Sequence, residues 1–244
     1  MSVIDKLFRV GSSDSSYVTA VVVAAGHSSR MGRDKILLPL GDRPVIAHTL
    51  GAFERCDRID EIIVVTRLES IEAVADICHD YGITKVSRIM VGGETRAQSS
   101  LIGVCAASGR ADIIAIHDGA RPFATPVLID RVISAAERDS AVAPAVSPTD
   151  TVRILNSRDA VISTPDRNLV ALIQTPQAFS AGVIKNALMR AVKKELPITD
   201  DCSAVEKMGI RVSVVHGEDT NIKLTTAMDV YIAEKILADR GFQE

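Results

Sequence analysis

The chain has 244 residues, of which 47% are hydrophobic, 24% charged and 3% aromatic, and its formal net charge is −3. This composition is typical of a globular protein with an aliphatic core, and the length fits one large domain or a domain with an appendage. The negative net charge argues against a nucleic-acid-binding surface, and no apolar run approaches the roughly 18 residues of a membrane span.

Residues 1–17 are polar, rich in serine and without the apolar core of a signal peptide, which predicts a flexible tail on a cytoplasmic protein. Residues 18–244 are expected to form a single domain in which strand-like and helix-like segments alternate. The predicted strands are Thr19–Ala24, Glu61–Thr66, Ser87–Val91, Asp112–His117, Ala141–Ala145 and Arg211–Val215. The predicted helices are Val45–Arg55, Ser70–Tyr81, Arg96–Ala107, Pro126–Arg138, Ala181–Glu195 and Thr226–Arg240.

Several of these strands are continuous apolar runs, as is typical of strands buried on both faces of a parallel sheet. Two helix starts are marked by capping residues, Thr125 before Pro126 and Thr226 three residues before Asp229. Repeated strand–helix units predict an α/β fold, a Rossmann-like doubly wound, mostly parallel sheet with helices on both faces. In such sheets ligands bind beyond the carboxyl ends of the strands.

One segment departs from this alternation. Residues 147–177 contain three prolines and two short strand-like runs around the turn Asn156–Asp159, which predicts a β-hairpin at about residues 147–169. The hairpin is either an arm that projects toward a substrate or partner or a surface hairpin without function. The pattern of residues does not separate these two interpretations.

The segment after the first strand carries the strongest functional signal. It reads AAGHSSRMGRDK from Ala24 to Lys35, with Gly26 and the cations Arg30 and Lys35. Small residues let a ligand approach the backbone, and the two cations would neutralise the charge that develops on an α-phosphate. The spacing fits neither the P-loop nor the dinucleotide-binding fingerprint. It matches a loop found in nucleotidyltransferases, and a solvated surface loop is the weaker alternative.

A second cluster of polar residues follows the fourth predicted strand. Asp118 can bind ribose or substrate hydroxyls or help to hold magnesium, and Arg121 suits a phosphate or a carboxylate. Taken alone, these two residues are better interpreted as a local ion pair. Further polar motifs lie at Asp150-Thr151, Thr164–Asn168, Thr175–Gln177 and Asp219–Thr225.

The cysteines and histidines show no metal-binding spacing. No C-x-x-C pair or zinc-type histidine motif is present in the sequence. The four cysteines are therefore expected to be buried, reduced thiols. They are Cys56, Cys78, Cys105 and Cys202.

Together the motifs resemble the 2-C-methyl-D-erythritol 4-phosphate cytidylyltransferase family, from about Thr19 to Leu237. The first loop is shared with molybdenum-cofactor and sugar-phosphate nucleotidyltransferases, whereas the later motifs in this order are more specific. These are Gly92–Arg96 with Ser99, Asp118–Pro122, Asp150-Thr151, Asp166–Asn168, Thr175–Gln177, Ile198–Asp201 and Asn221–Lys223. The resemblance implies transfer of CMP from CTP to methylerythritol phosphate, with release of pyrophosphate, in the non-mevalonate route to isoprenoids.

The resemblance also implies roles for particular residues. Arg30 and Lys35 would stabilise the transition state on the CTP phosphates, and Arg167 and Lys223 would position the methylerythritol phosphate. Magnesium is expected on the CTP oxygens, with Asp118 as the one candidate protein ligand. Thr151 and Arg167 lie in the arm, which in this family crosses to the other subunit of a homodimer. The implied substrate-binding residues are Ala24, Ala25, Gly26, Gly92, Arg96, Ser99, Asp118, Arg121, Thr151 and Thr175.

Three alternatives stay open at this point. Asp34-Lys35-Ile36 replaces the family's common Pro-Lys-Gln, and Ser28 replaces a glycine, which brings the loop nearer to molybdopterin cytidylyltransferases. That family lacks the arm motifs. Ribitol-5-phosphate cytidylyltransferases share most of the scaffold, and Asn221-Ile222 favours the methylerythritol enzyme only mildly. A non-catalytic nucleotide-binding regulator is expected to lose the cations that this chain retains.

Overall fold

The computed structural model describes residues 16–26 and 35–241. None of the helices in these ranges has the length and hydropathy needed to cross a membrane. The strands are β1 (Val18–Val23), β2 (Pro39–Leu40), β3 (Arg43–Pro44), β4 (Glu61–Thr66), β5 (Val86–Val91), β6 (Ile113–Asp118), β7 (Ala141–Val146), β8 (Ile154–Leu155), β9 (Val161–Ser163), β10 (Leu172–Ile173), β11 (Gln177–Ser180) and β12 (Ser213–His216). The α-helices are α1 (Val45–Glu54), α2 (Ile71–Asp80), α3 (Arg96–Ala106), α4 (Pro126–Asp139), α5 (Ala181–Lys193), α6 (Asp201–Glu206) and α7 (Ala227–Gly241).

Eight of the described strands form one sheet, in the order β10–β7–β11–β6–β1–β4–β5 with β12 paired to β7. β1 pairs in parallel with both β4 and β6, whereas β10 and β11 run antiparallel to their neighbours. The sheet is mixed and mostly parallel, so the predicted α/β fold is confirmed. Because Val23 of β1 lies beside Asp118 of β6, the two chemically informative segments begin at the same edge of the sheet.

Each face of the sheet carries its own hydrophobic cluster, because successive strand residues point to opposite faces. Val22 of β1 packs in a cluster with α1 and α4, and Val21 packs in a second cluster with α3 and α5. Both side chains are fully buried. A third cluster joins Phe123 and Leu224 to α7. Burial on both faces is the reason why β1 is apolar apart from Thr19, whose hydroxyl donates to the Glu61 carboxylate at 2.8 Å.

Every predicted strand and helix is present, with boundaries that move by at most two residues. The predicted helix starts are also confirmed. The Thr125 hydroxyl accepts from the Leu128 backbone N–H at 3.0 Å, and the Asp229 carboxylate accepts from the Thr226 backbone N–H at 2.7 Å. The elements that were not predicted are β2, β3, β10, β11 and α6. They have two to six residues, which is too short for a hydrophobic period to show.

The predicted hairpin is confirmed as β8 and β9, which pair antiparallel with each other. Its turn is held by the Asn156 side chain, whose oxygen accepts from the backbone N–H groups of Arg158 and Ala160. Asp159 adopts a left-handed conformation with φ 59°. Several apolar side chains of the hairpin face solvent in the single chain, namely Ile154, Leu155, Val161 and Ile162.

The predicted tail extends to residue 17, whereas the structure describes the chain from residue 16. Residues 1–15 lie outside the described residues, but Tyr17 is bound to the end of the sheet. Its backbone N–H donates to the Asp112 carboxylate at 2.9 Å, and the Arg110 guanidinium lies over its ring. Tyr17 therefore packs with the domain that the structure describes.

All four cysteines are unpaired thiols. The prediction that they are buried is correct for Cys56 and Cys202 and wrong for Cys105, which is exposed on α3; Cys78 is partly buried. Cys105 lies on the outer side of an amphipathic helix, where sequence alone offered no packing constraint.

Candidate active site

A pocket of about 150 Å³ lies at the carboxyl ends of β1 and β6. It is formed by the segment after β1, the loop into α3, the end of β6 and the loop before α7. Parallel strands that are neighbours in a sheet end at the same edge, which is why these distant segments meet. The predicted site residues that line it are Ala24, Ala25, Gly26, Lys35, Arg96, Ser99, Asp118 and Lys223.

Asp118 is the centre of an ion-pair cluster in this pocket. Its carboxylate is 2.8 Å from Lys223 Nζ, 3.2 Å from an Arg96 amino group and 3.7 Å from Arg121 Nε. Burial opposes ionisation, but Arg96 and then Lys223 outweigh it and lower the pKa of Asp118 below its ordinary value of 3.8. Asp118 is therefore an anion at neutral pH and a common anchor for three cations.

Arg96, the first residue of α3, lies between two carboxylates. Its second amino group is 2.7 Å from Asp201, whose side chain is fully buried at the start of α6. Burial raises the pKa of Asp201, although Arg96 opposes this. The carboxylates of Asp201 and Asp118 raise the pKa of Arg96 despite its own burial. Arg96 thus stays charged in a position fixed from two sides.

The cluster carries a net positive charge, since the cations Arg96, Arg121 and Lys223 face only two carboxylates. Lys35 and Glu94 add one charge of each sign to the lining, so the balance stays positive. A positive pocket with low-dielectric walls attracts polyanions such as phosphates. No group of three or more histidine, cysteine, aspartate or glutamate residues suited to holding a metal occurs among the residues described.

Thr175 lies behind the pocket rather than in its lining. Its hydroxyl accepts from the Asp118 backbone N–H at 3.1 Å and lies 3.0 Å from Nδ1 of His117. The Asn221 side chain donates to the Thr175 carbonyl at 2.9 Å, and Arg121 donates to the Asn221 carbonyl at 2.7 Å. These bonds join the end of β6 to the loops before β11 and α7.

Gly92 allows the loop before α3 to pack directly against the segment after β1. A Cβ atom at Gly92 would lie 2.3 Å from the Ala25 Cβ and 2.9 Å from the Ser99 hydroxyl. Ser99 is buried on α3 and accepts from the Gly93 backbone N–H at 3.1 Å. Gly92 and Ser99 therefore shape the wall beside the first loop.

We expect Gly92→Ala to lower the free energy of unfolding by about 2 kcal/mol, because the added methyl group overpacks a site with no free space. Urea unfolding measures this change. The matched control is Gly109→Ala, where a Cβ would meet nothing within 4 Å, and we expect no significant change there. Equal stabilities of the two variants would contradict the tight packing at Gly92.

The first loop is only partly described. Lys35 lines the pocket, as the sequence predicts for a phosphate-binding cation. Arg30 belongs to residues 27–34, which lie outside the described residues. The predicted pairing of Arg30 with Lys35 on one ligand therefore stays a prediction.

The arm residues do not join this pocket within the single chain. Arg167 lies in a 3₁₀ turn, Arg167–Leu169, and lines a second cleft with His216 and Asp219. Thr151 is exposed and lines neither cleft. The structure thus brings Arg96, Asp118 and Lys223 together and leaves the arm cations elsewhere.

Three residues of the cluster were not among the predicted site residues: His117, Asp201 and Asn221. Each lies in or beside a recognised motif, but nothing in the sequence shows which side chain it contacts. One signal was available for Asp201, because an acidic residue in a segment that packs into the core needs a cation partner. That partner, Arg96, is far away in sequence and could not be identified from it.

Comparison with known proteins gives consistent results. A family model for 2-C-methyl-D-erythritol 4-phosphate cytidylyltransferase matches residues 18–239. The enzyme of that name from Alkaliphilus oremlandii is 40% identical over 228 residues, which cover 92% of this chain and 97% of the relative. The one from Halalkalibacterium halodurans is 37% identical, with 91% and 97% covered. The crystal structure of 4-diphosphocytidyl-2C-methyl-D-erythritol synthase from Anaerococcus prevotii superposes with a TM-score of 0.84 at 35% identity, covering 92% of this chain and 97% of that one.

Proposed function

The chain belongs to the 2-C-methyl-D-erythritol 4-phosphate cytidylyltransferase family and transfers CMP from CTP to 2-C-methyl-D-erythritol 4-phosphate, and we propose that cations at the edge of its sheet perform this reaction. The observation that carries the proposal is the cluster in which Asp118 anchors Arg96, Arg121 and Lys223. The products are 4-diphosphocytidyl-2-C-methyl-D-erythritol and pyrophosphate.

The reaction needs positioning and charge neutralisation rather than a protein nucleophile. A phosphate oxygen of methylerythritol phosphate attacks the α-phosphorus of CTP, the new P–O bond forms and the bond to pyrophosphate breaks. Two anions must approach each other, so the site has to supply positive charge before they meet. The net positive cluster around Asp118 fits this requirement.

The CTP half of the site is proposed to lie along the segment after β1. Ala24, Ala25 and Gly26 are small enough for the triphosphate to approach their backbone. Lys35, together with Arg30, would neutralise the charge that develops on the α-phosphate and the leaving pyrophosphate. Gly92, Arg96 and Ser99 form the adjoining wall, where we place the nucleoside.

The acceptor half is proposed to centre on Lys223 and Arg167. Lys223 uses one donor on Asp118 and is 37% exposed, so its remaining N–H groups can bind a phosphate. Asp118 and Arg121 would bind the polyol hydroxyls and phosphate. Thr175 lies at the back of the acceptor half. Its hydroxyl accepts a hydrogen bond from the Asp118 backbone N–H, through which it would support this half of the site.

Magnesium is proposed to bind through the phosphate oxygens of CTP and water. Its preference for few protein ligands and several waters fits a pocket in which Asp118 is already surrounded by cations. When bound, it would reduce the negative charge of the leaving pyrophosphate. Asp118 is then a counter-charge for the cations rather than a metal ligand.

The alternatives raised by the sequence are now separated by the comparisons. The matched family and the relatives described above are methylerythritol enzymes rather than ribitol-5-phosphate or molybdopterin cytidylyltransferases. Lys35 and Lys223 line the pocket, which argues against a non-catalytic regulator.

We propose that the enzyme is a homodimer in which the arm completes the partner's site. Arg167 and Thr151 do not reach the pocket of their own chain. The hairpin also exposes four large apolar side chains: Ile154, Leu155, Val161 and Ile162. In this proposal the exposed apolar patch is the surface with which the arm contacts the partner subunit.

Mixing two inactive variants tests this arrangement. We expect Lys223→Ala and Arg167→Ala each to be nearly inactive, whereas refolding an equal mixture restores about a quarter of the wild-type rate, because half of the dimers are hybrids with one intact site. The measurement is pyrophosphate release from CTP and methylerythritol phosphate, with ribitol 5-phosphate as the substrate control. An active monomer by sedimentation, or a mixture of dimers without recovery, would contradict arm exchange.

A further inference from the structure

His117, directly before Asp118, connects two segments of the site wall. It is completely buried, and its ring packs on Phe53 with centroids 4.9 Å apart. Its Nδ1 lies 3.0 Å from the Thr175 hydroxyl oxygen, and its Nε2 lies 3.1 Å from the Arg121 carbonyl oxygen. The two contacts lie on opposite sides of the ring, so a single imidazole spans both segments.

The hydrogen positions in these contacts follow from two groups with a single hydrogen-bonding role, the Arg121 carbonyl as an acceptor and the Asp118 backbone N–H as a donor. The Arg121 carbonyl can only accept, so Nε2 carries the hydrogen and Nδ1 has a lone pair. The Asp118 backbone N–H can only donate, so the Thr175 oxygen accepts from it; because Nδ1 offers only a lone pair, the Thr175 hydroxyl donates its own hydrogen to Nδ1. Donation therefore runs from Asp118 to Thr175, from Thr175 to His117 and from His117 to Arg121.

A second proton on the ring would oppose this order, because Nδ1 would then face the Thr175 hydroxyl as a donor. Burial also disfavours the cation and lowers the pKa of His117 to about 4. The charged neighbours Asp118 and Arg121 act on the ring in opposite directions. The neutral ring with its hydrogen on Nε2 is the form that satisfies every contact.

The contacts close into a ring of hydrogen bonds through Asn221. Arg121 donates to the Asn221 carbonyl at 2.7 Å, and Asn221 donates to the Thr175 carbonyl at 2.9 Å. Lys223 stands two residues after Asn221 and pairs with Asp118 at 2.8 Å. The same network thus holds both partners of the Asp118–Lys223 pair in place.

We propose that His117 is a positioning residue for cytidylyl transfer, which as the neutral Nε2–H imidazole sets the geometry of Asp118, Arg121 and Lys223 without touching the substrates. The proposal rests on the roles proposed above for those three residues. His117 itself is absent from the pocket lining. Its effect on the reaction must therefore pass through the groups that it holds.

Nitrogen-15 NMR of the full-length protein labelled in histidine tests the assigned form of the ring. His48, whose Nε2 lies 2.8 Å from the Leu40 carbonyl oxygen, is expected to carry hydrogen on Nε2 as well. We expect the His117 ring to show hydrogen on Nε2 and no titration from about pH 5.5 to about pH 8. This signal should be lost in His117→Asn. Hydrogen on Nδ1, or titration near the ordinary value of 6.5, would overturn the proposal.

Three variants test the positioning role. His117→Phe keeps the ring contact with Phe53 but loses both hydrogen bonds, and we expect kcat/KM to fall roughly 100-fold, mainly in kcat, since small displacements of reacting groups have effects of this size. His117→Asn keeps an acceptor near Nδ1 and His117→Gln a donor near Nε2, so each should recover part of the loss. His79→Phe, on the exposed side of α2, is the matched control.

Two outcomes would contradict the positioning role. One is His117→Phe with wild-type kcat and only a lower Tm, which indicates a purely structural residue. The other is an equal loss in all three variants without partial recovery. If His117→Phe does not fold, the kcat of His117→Asn and His117→Gln decides, and wild-type values in both would contradict the positioning role. Because Lys223→Ala is assayed separately, failure of the proposed Lys223 role is distinguishable from failure of the His117 proposal.

Discussion

Replacing Lys223 by alanine is expected to lower kcat/KM by about a thousandfold, because an electrostatic donor to the reacting phosphate is removed. The ammonium group is held at 2.8 Å from Asp118 and lines the pocket with Arg96. Arg96 and Arg121 still neutralise Asp118 when Lys223 is absent, so we expect the fold to persist. Steady-state pyrophosphate release measures the activity, and thermal unfolding measures the stability.

The matched control for this variant is Lys235→Ala. Lys235 lies on α7, pairs with Asp239 at 2.6 Å and is 74% exposed. Exposed pairs of this kind contribute about 0.5 kcal/mol or less, and the residue is remote from the pocket, so activity and Tm should stay near wild type. Near-normal turnover by Lys223→Ala would contradict the acceptor-binding role of Lys223.

Replacing Asp118 by asparagine is expected to damage both activity and stability. The side chain keeps its shape but no longer neutralises Arg96, Arg121 and Lys223, which then repel one another. Removing one partner of a buried ion pair costs about 3 kcal/mol, and displacement of the cations should lower kcat roughly 100-fold. Urea unfolding and steady-state kinetics measure the two effects.

The stability effect should depend on pH in a defined direction. The cations keep the pKa of Asp118 below its ordinary value of 3.8, so the folded state holds its proton less tightly than the unfolded state. The stabilisation by Asp118 is therefore fully present above the unfolded pKa and is lost as pH falls through the folded one. The difference in unfolding free energy between wild type and Asp118→Asn should be constant near neutrality and shrink below about pH 4.

Asp130→Asn is the control for this change, since Asp130 forms a surface pair with Arg58 at 3.0 Å and is 52% exposed. We expect little change in its stability at any of these pH values. A wild-type kcat for Asp118→Asn would show that the cations keep their positions without their common anchor. A stability difference that grows on acidification would contradict the proposed ion-pair origin.

Much of the fold could be predicted from the sequence because the long elements bury wide apolar faces. β1 has consecutive valines at Val21–Val23 because Val21 and Val22 pack on opposite sides of the sheet, and α4 begins at a capping threonine followed by proline. The short elements could not be predicted. β11 is a strand because tertiary contacts pair it with β6 and β7.

The candidate site was only partly predictable. Lys35 and Asp118 were identified because they follow apolar strands, and Arg96 and Lys223 because they stand in motifs of the family that the sequence resembles. The partners of these residues were not identified, because a motif does not report which distant side chain will meet it. Asp201, which holds Arg96 at 2.7 Å, is the clearest case.

The α/β class and the family could be read from the sequence alone, as could the segment after β1 that we propose to bind phosphate. These properties depend on local periodicity, small residues and the order of motifs, all of which are visible along the chain. Tertiary packing was needed to see that Asp118 anchors three cations from separate segments and that His117 links Thr175 to Arg121. Ion pairs and hydrogen bonds require contact within a few ångströms, and the packing of the sheet and its loops creates that contact between residues far apart in sequence.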